Sequence, residues 1–308
     1  MNTLQREERI DKQAIREAVC RFFNGDSARS YVRKEIKASI HGVLRRIQEA
    51  GWEAYLVGGT IRDAVLGPRM AGPSAYYPRD IDIILIGVQR ADVKERFSDL
   101  WARETRFGGA HLVDKKPGGL HVLFDIWSLE DTWAFKTKAT PLPMSISFFP
   151  QTPFLNLDAV AVEIQSHRGK PRRVFENGFI DGINDRMIEI NFERNPYPAI
   201  CMVRALIMAA KLQFAIGPQL VDFALRQAKT TSVDELMAAQ RSHYGVQRCS
   251  ARELVGWIRS LQEASAQGLL YPRLAVPTGR QLTLWNGYPP SDYTTERDAL
   301  PSPELTPV

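Results

Sequence analysis

Apolar positions recur along this chain with two periods, and the places where one gives way to the other mark its elements. Between Ser30 and Glu49, residues Ile36, Ile40, Leu44 and Ile47 return every three or four positions, while Arg33, Lys34, Lys37, Arg45 and Arg46 fill the other faces. That spacing predicts an amphipathic helix, with its basic residues in solvent. Gly51-Trp52-Glu53-Ala54 then turns into a short apolar strand ending at Leu56-Val57. A helix over 61–66 follows, and Ile81, Ile83 and Leu85 alternate with Asp80, Asp82 and Ile84 as in a strand. Val93, Phe97 and Leu100 predict a helix over 91–105, and apolar runs predict strands over 119–127 and 154–164. The run 198–216 is helical, with Met202, Leu206, Ala209 and Phe214 on a buried stripe and Arg204, Met208 and Lys211 on another face. Ser232 and Ser250 each cap a later helix, the second with Glu253 three residues on. From Gly268 onward Pro, Gly, Ser and Thr accumulate, which predicts a disordered tail.

The strand-to-helix junction at Gly58-Gly59 is where chemistry first enters the pattern. Thr60 is placed to cap the helix, and Gly67-Pro68 to close it. A glycine pair there lets backbone N–H groups approach a phosphate chain, and the helix N-terminus adds partial positive charge. Period two puts Asp80 and Asp82 on one strand face, about 7 Å apart. Two such carboxylates repel unless a cation lies between them, and hard oxygen ligands suit Mg²⁺ that also holds substrate phosphates. Asp-x-Asp alone more often marks solvated acids at a strand end; the Gly-Gly-x-x-Arg-Asp upstream shifts the balance. A second pair, Gly108-Gly109, reads as a plain turn because no helix follows.

Composition narrows the class without fixing a function. The chain has 308 residues, 44% hydrophobic and 24% charged, enough for a sizeable core and for two domains or one with an extension. A net charge of +5 suits a polyanionic partner without requiring one. Cys20, Cys201 and Cys249 lack CxxC or metal-ligand spacing, so they read as reduced thiols of a cytoplasmic protein with no zinc site. No apolar h-region and no run of 18 apolar residues is present, so neither a secretory signal nor a membrane span is expected.

GGTIRDAVLG (58–67) followed by RDIDIIL (79–85) resembles the head-domain signature of tRNA CCA-adding enzymes and bacterial poly(A) polymerases, within the DNA polymerase β-like nucleotidyltransferases. The resemblance extends over about residues 30–220. It implies an α/β (α+β) head with a small mixed sheet and a helical neck. The expected divisions are an N-terminal extension (1–29), the head (30–176), the neck (177–265) and the tail (266–308). It implies two Mg²⁺ ions held by Asp80, Asp82 and a third carboxylate. Asp125, in GLHVLFDIW, is favoured for that place over Glu130 and Asp131, which read as a helix start. Gly58, Gly59 and Arg62 would hold the triphosphate, and Asp63 would orient Arg62 or the loop. Arg69 and Arg79, in the Pro/Gly-rich loop over the site, and the basic run RGKPRR (168–173) are candidates for phosphate or RNA contact, or simply solvated.

The segment 178–190 resembles the family's link into the neck, and 198–216 its neck helix, with Arg204 and Lys211 as nucleotide-binding candidates. Two departures stand out. In the segment related to Arg-Arg-Asp-Phe-Thr-Ile-Asn-Ala, Asp158-Ala159 replaces Asn-Ala, and Thr152 and Pro153 stand where arginines are expected. Pro198 and Cys201 occupy the places of the acid and arginine that select the base, and neither reads a base edge by side-chain hydrogen bonds. The length is also shorter than a full CCA-adding enzyme requires. The resemblance therefore implies transfer of a nucleotide from an NTP, ATP or CTP, to an acceptor hydroxyl, foremost an RNA 3′ end. The alternatives are nucleotidylation of a protein or small molecule, and a non-catalytic RNA-binding or regulatory protein.

Overall fold

The computed structural model describes residues 9–24, 34–70, 80–105, 108–116, 121–165 and 170–276. They form two compact units that divide between Asp185 and Arg186. The first is built on one seven-stranded mixed sheet in the order β3-β4-β5-β2-β1-β6-β7. Its strands are β1 (Glu53–Val57), β2 (Ile81–Ile86), β3 (Trp101–Glu104), β4 (Ala110–Lys115), β5 (His121–Ser128), β6 (Val160–Glu163) and β7 (Val174–Glu176). Only β2 and β5 run parallel; the other neighbours are antiparallel.

The central strands β1 and β2 are apolar almost without interruption because both sheet faces are covered there. On one face, Tyr55, Val57, Ile84 and Ala161 join Leu129 and Ile146 in a core cluster. By the period of two, Asp82 shares that face with Ile84. Helix α2 (Lys34–Glu49) buries Ile36, Ile40, Val43 and Ile47 and packs on β1. Its Arg46 is less solvated than the sequence suggests: both terminal nitrogens donate to Asp99, at 2.5 and 2.8 Å.

Several expectations are revised by packing. Helix α1 (Lys12–Asn24) lies within the predicted extension, yet Ile15, Val19 and Phe22 are wholly buried and it packs on α3 (Gly59–Met70). An apolar stripe at helical spacing makes it part of the first unit. The helix expected over 91–105 is only α4 (Arg90–Arg96). Phe97 is buried at its end, and Trp101 onward pairs with β4 as an edge strand. In 154–164, a 3-10 turn at Asn156–Asp158 precedes the strand β6. Gly67-Pro68 does not stop α3, which runs on to Met70. The short helices α5 (Trp133–Lys136) and α6 (Phe179–Asn184) complete this unit.

The second unit holds α7 (Pro198–Leu212), α8 (Pro218–Thr230), α9 (Val233–Tyr244) and α10 (Ala251–Ala266). It is not purely helical: β8 (Met187–Ile188) and β9 (Ala215–Ile216) form a short parallel ladder. Ser232 and Ser250 cap α9 and α10, each within a capping box closed by Glu235 and Glu253. Glu189 accepts the N–H groups of Gln219 and Leu220 at the start of α8. Gly217 permits this approach, since a Cβ there would lie 2.3 Å from the Glu189 carboxylate. Residues 272–275 of the tail expected from residue 266 are tied into this unit. Ile216 N–H donates to Pro272, Gln213 Nε2 to Leu274 and Trp257 Nε1 to Ala275. Residues 277–308 lie outside the described residues. Among the described residues, no helix is long and apolar enough to cross a membrane.

Two glycines separate packing from backbone freedom. A Cβ on Gly109, before β4, would sit 2.2 Å from the Trp127 indole, whereas one on Gly42 in α2 meets nothing within 4 Å. Gly109→Ala is expected to destabilise the protein by about 1–3 kcal/mol. Gly42→Ala should stabilise it by about 0.5–1 kcal/mol. Urea unfolding midpoints that moved together would contradict this contrast.

Candidate active site

Sheet register gathers the acids. Parallel pairing of β2 with β5 sets Asp82 beside Asp125, and antiparallel pairing of β4 with β5 sets His111 beside Asp125. Asp80, just before β2, completes a cluster in which one carboxylate oxygen from each of Asp80, Asp82 and Asp125 lies within 4.8 Å of the others. All three acids are half-buried. Burial alternates along β5, so Asp125 stands on the same half-buried face as Leu123 and Trp127 while Phe124 and Ile126 enter the core. The rival acids lie elsewhere. Asp131 pairs with Lys136 at 3.2 Å and Arg90 at 3.6 Å, and Glu130 shares its 3-10 turn.

The glycine turn stands against this cluster. Gly58 has φ +61°, a left-handed conformation that favours glycine, and the place a Cβ would take there is 3.9 Å from Asp82 Oδ2. Gly58 donates its N–H to Val160, and its carbonyl accepts the N–H groups of Ile61 and Arg62 at the start of α3. Thr60 is therefore not the cap. Its hydroxyl accepts the Asp82 N–H at 3.2 Å and donates to the Asp80 carbonyl at 3.3 Å, clipping the Asp-x-Asp segment to the first turn of the helix. The first N–H groups of any helix lack partners within it and carry its positive end. Here that end lies beside the three acids.

Arg62 is 9% exposed and sits between two carboxylates. Its Nε donates to Asp63 at 2.9 Å and a terminal nitrogen to Asp158 at 2.5 Å. A Cβ on Gly59 would lie 3.1 Å from the same guanidinium, so the second glycine makes room for it. Asp63 thus holds Arg62, and Asp158, from the turn before β6, is a second partner that the sequence reading did not assign. Its signal was the partial motif at Asp158-Ala159. His111 was also missed: its Nδ1 lies 2.5 Å from Asp125 Oδ1, a neighbour visible only once the β4–β5 register is known.

Other predicted residues belong to other elements. Arg204 and Lys211 lie on α7 in the second unit, both partly exposed on a helix otherwise almost wholly buried. In that unit Pro198 begins α7 and Cys201 is 3% exposed, its thiol pushed up to about 12 by burial. Arg173 is committed to Glu53 and Glu163, and Arg172 to the Ile164 carbonyl and the Cys20 sulfur, so half of the basic run RGKPRR serves the fold. Arg79 and Arg168 lie outside the described residues, and nothing is described of the Arg69 side chain.

Three carboxylate oxygens converging beside a helix N-terminus are a donor set that fits a hard divalent cation such as Mg²⁺.

No protein-family model and no curated protein matches the chain. Among solved structures it is similar to a CCA-adding enzyme in complex with ATP, at 16% identity and TM-score 0.51, over 78% of this chain and 52% of that one. It is similar also to the Thermotoga maritima CCA-adding enzyme complexed with tRNA, at 14% identity and TM-score 0.51, over 78% and 52%. A CCA-adding enzyme in complex with CTP gives 15% identity and TM-score 0.51, over 75% and 51%. The chain therefore has the fold of the CCA-adding enzymes and spans about half the length of the structures it matches.

The Arg62 clasp makes a stability prediction. Removing the guanidinium takes that partner from the buried Asp158 and the half-buried Asp63, so Arg62→Ala should cost about 3–5 kcal/mol of folding stability. Arg62→Lys, which keeps charge but not the fork, should cost less. Chemical denaturation measures both, and an Arg62→Ala midpoint equal to that of the parent protein would rule out the clasp.

Proposed function

We propose that this protein is a metal-dependent nucleotidyltransferase that moves a nucleoside monophosphate from an NTP to an acceptor hydroxyl, foremost an RNA 3′ end, with release of pyrophosphate. The observation that carries the reading is the meeting of Asp80, Asp82 and Asp125 within 4.8 Å beside the Gly58-Gly59 turn. The CCA-adding enzymes of like fold, described in complex with ATP, CTP and tRNA, support the choice of NTP and RNA as substrates.

In this mechanism Asp80, Asp82 and Asp125 would hold the ions. Bound Mg²⁺ would neutralise phosphate charge and ease loss of the acceptor proton. The Gly58-Gly59 turn and the start of α3 receive triphosphate oxygens on backbone N–H groups. Thr60 keeps the Asp80–Asp82 segment fixed to that same turn, so the carboxylates and the phosphate-facing N–H groups move as one body. The acceptor oxygen forms the new bond to the α-phosphorus as the bond to pyrophosphate breaks. Such a reaction needs positioning and charge neutralisation more than it needs further side chains. The second reading, transfer to a protein or small molecule, uses the same site and differs only in acceptor. A non-catalytic RNA-binding role gives no physical reason for three acids to be clustered.

Asp80→Asn and Asp82→Asn should each reduce transfer by several orders of magnitude, consistent with losing several kcal/mol of transition-state stabilisation. Neither should lower the melting temperature, because removing one of several repelling charges relieves strain. Incubating purified protein with each radiolabelled NTP, Mg²⁺ and total RNA or lysate reads the activity and identifies the labelled acceptor. Near-parental turnover by either variant at saturating Mg²⁺ would refute the assignment.

Base choice should depart from ordered CCA addition. Pro198 and the buried Cys201 stand where the resemblance implies an acid and an arginine, and Arg204 and Lys211 bring donors only. Large discrimination arises when the wrong base leaves a paired set of buried groups unmatched, and these positions supply no such set. Sequencing the products made on a tRNA lacking its 3′ end, with all four NTPs present, should give relaxed or single-base addition. A clean C, C, A product would overturn this reading.

A further inference from the structure

We infer that His111 is a positioning residue for the acidic cluster, holding the Asp125 carboxylate in the one orientation that serves a bound ion. The inference rests on the nucleotidyltransferase reading above and deepens it.

His111 and Asp125 are register partners on β4 and β5, and Nδ1 lies 2.5 Å from Oδ1. Both side chains are well shielded, at 11% and 19% exposure. In the tautomer that carries its proton on Nδ1, His111 donates to Asp125 Oδ1. Asp125 has a reason to need that bond. Its carboxylate stands within 4.8 Å of oxygens from Asp80 and Asp82, and the repulsion favours any rotamer that turns it away. A donor on the neighbouring strand opposes that rotation by engaging one oxygen, and it draws off part of the negative charge as it does so. Second-layer hydrogen bonds of this kind set the orientation of metal-binding carboxylates, and their loss commonly weakens metal binding 10–100-fold.

The backbone under His111 is itself fixed. Six consecutive register pairs join β4 to β5. Gly109, two residues before His111, donates its N–H to the Thr105 hydroxyl, to which the Trp127 indole N–H also donates. Trp127 lies two residues beyond Asp125 on the same strand face, so both members of the pair are anchored through one knot. His111 is too remote in sequence from the Asp-x-Asp segment to belong to any linear motif, and it enters the cluster only through sheet register.

The test uses the full chain without nucleotide and reads metal rather than turnover. Mn²⁺ binding is measured by electron paramagnetic resonance for the parent protein, His111→Phe, His111→Asn and Asp125→Asn, with melting temperatures alongside. His111→Phe keeps a ring of similar volume without the donor, and His111→Asn keeps a short side-chain donor. The inference expects His111→Phe to weaken the ion site that Asp125→Asn weakens, by about 10–100-fold, and His111→Asn to recover most of that loss. A merely structural histidine would lower both melting temperatures together and leave Mn²⁺ affinity alone. If Asp125→Asn weakens Mn²⁺ binding while His111→Phe does not, the positioning role is overturned and the ligand role of Asp125 stands. If Asp125→Asn leaves binding unchanged, the ligand reading of Asp125 fails, and the role of His111 with it.

Discussion

Three carboxylates held within a few ångströms repel one another, and much of the first unit is arranged to keep them there. The work is divided among elements that cannot move independently. Parallel pairing of β2 and β5 fixes the spacing of Asp82 and Asp125, because slipping by one residue would send every side chain to the other face. Thr60 ties the backbone on either side of Ile81 to the helix that follows the glycine turn. The helix N-terminus supplies partial positive charge to the same place. None of these contacts is strong alone; together they hold a charge arrangement that the isolated strands would not.

The same turn carries a second charge cluster with a different balance. Arg62 is met by Asp63 from its own helix and by Asp158 from the turn before β6. Two carboxylates around one guanidinium tie the start of α3 to the segment that enters β6, while Gly58 N–H bonds to Val160 from the other side. The glycines are therefore constrained twice over. Gly58 needs its left-handed backbone, and Gly59 needs to be bare so that Arg62 can lie against it. A motif that reads as phosphate-binding in one dimension is in three dimensions also a joint between helix and sheet.

What was legible in the sequence follows the range of the interaction responsible. The Gly58-Gly59 turn, the strand of Asp82, the strand of Asp125 and the caps at Ser232 and Ser250 are local patterns, written within a few residues. The errors are tertiary. Val93, Phe97 and Leu100 have helical spacing, but Phe97 ends the helix and Trp101 joins a sheet edge. Thr60 has the chemistry of a cap, and the nearby strand outbids the helix for its hydroxyl. Asp158 and His111 become partners of Arg62 and Asp125 only through turns and registers that no short window of sequence contains.

The second unit shows what burial demands of a helix position. Helix α7 buries Cys201, Met202, Val203 and nearly everything up to Leu212, leaving Arg204 and Lys211 partly exposed. A thiol at 201 suits that interior: it is small, and burial holds it protonated, with its pKa pushed up to about 12. An arginine there would have to leave the core or find a carboxylate within it. Pro198 is equally at home at the first helical position, where no N–H is needed. Both residues suit a helix whose task at those positions is packing and initiation. A base-reading pair makes the opposite demand, polar groups kept solvated or exactingly paired until substrate arrives. Packing and helix initiation alone account for both residues, and neither side chain offers the paired donors and acceptors that reading a base edge needs.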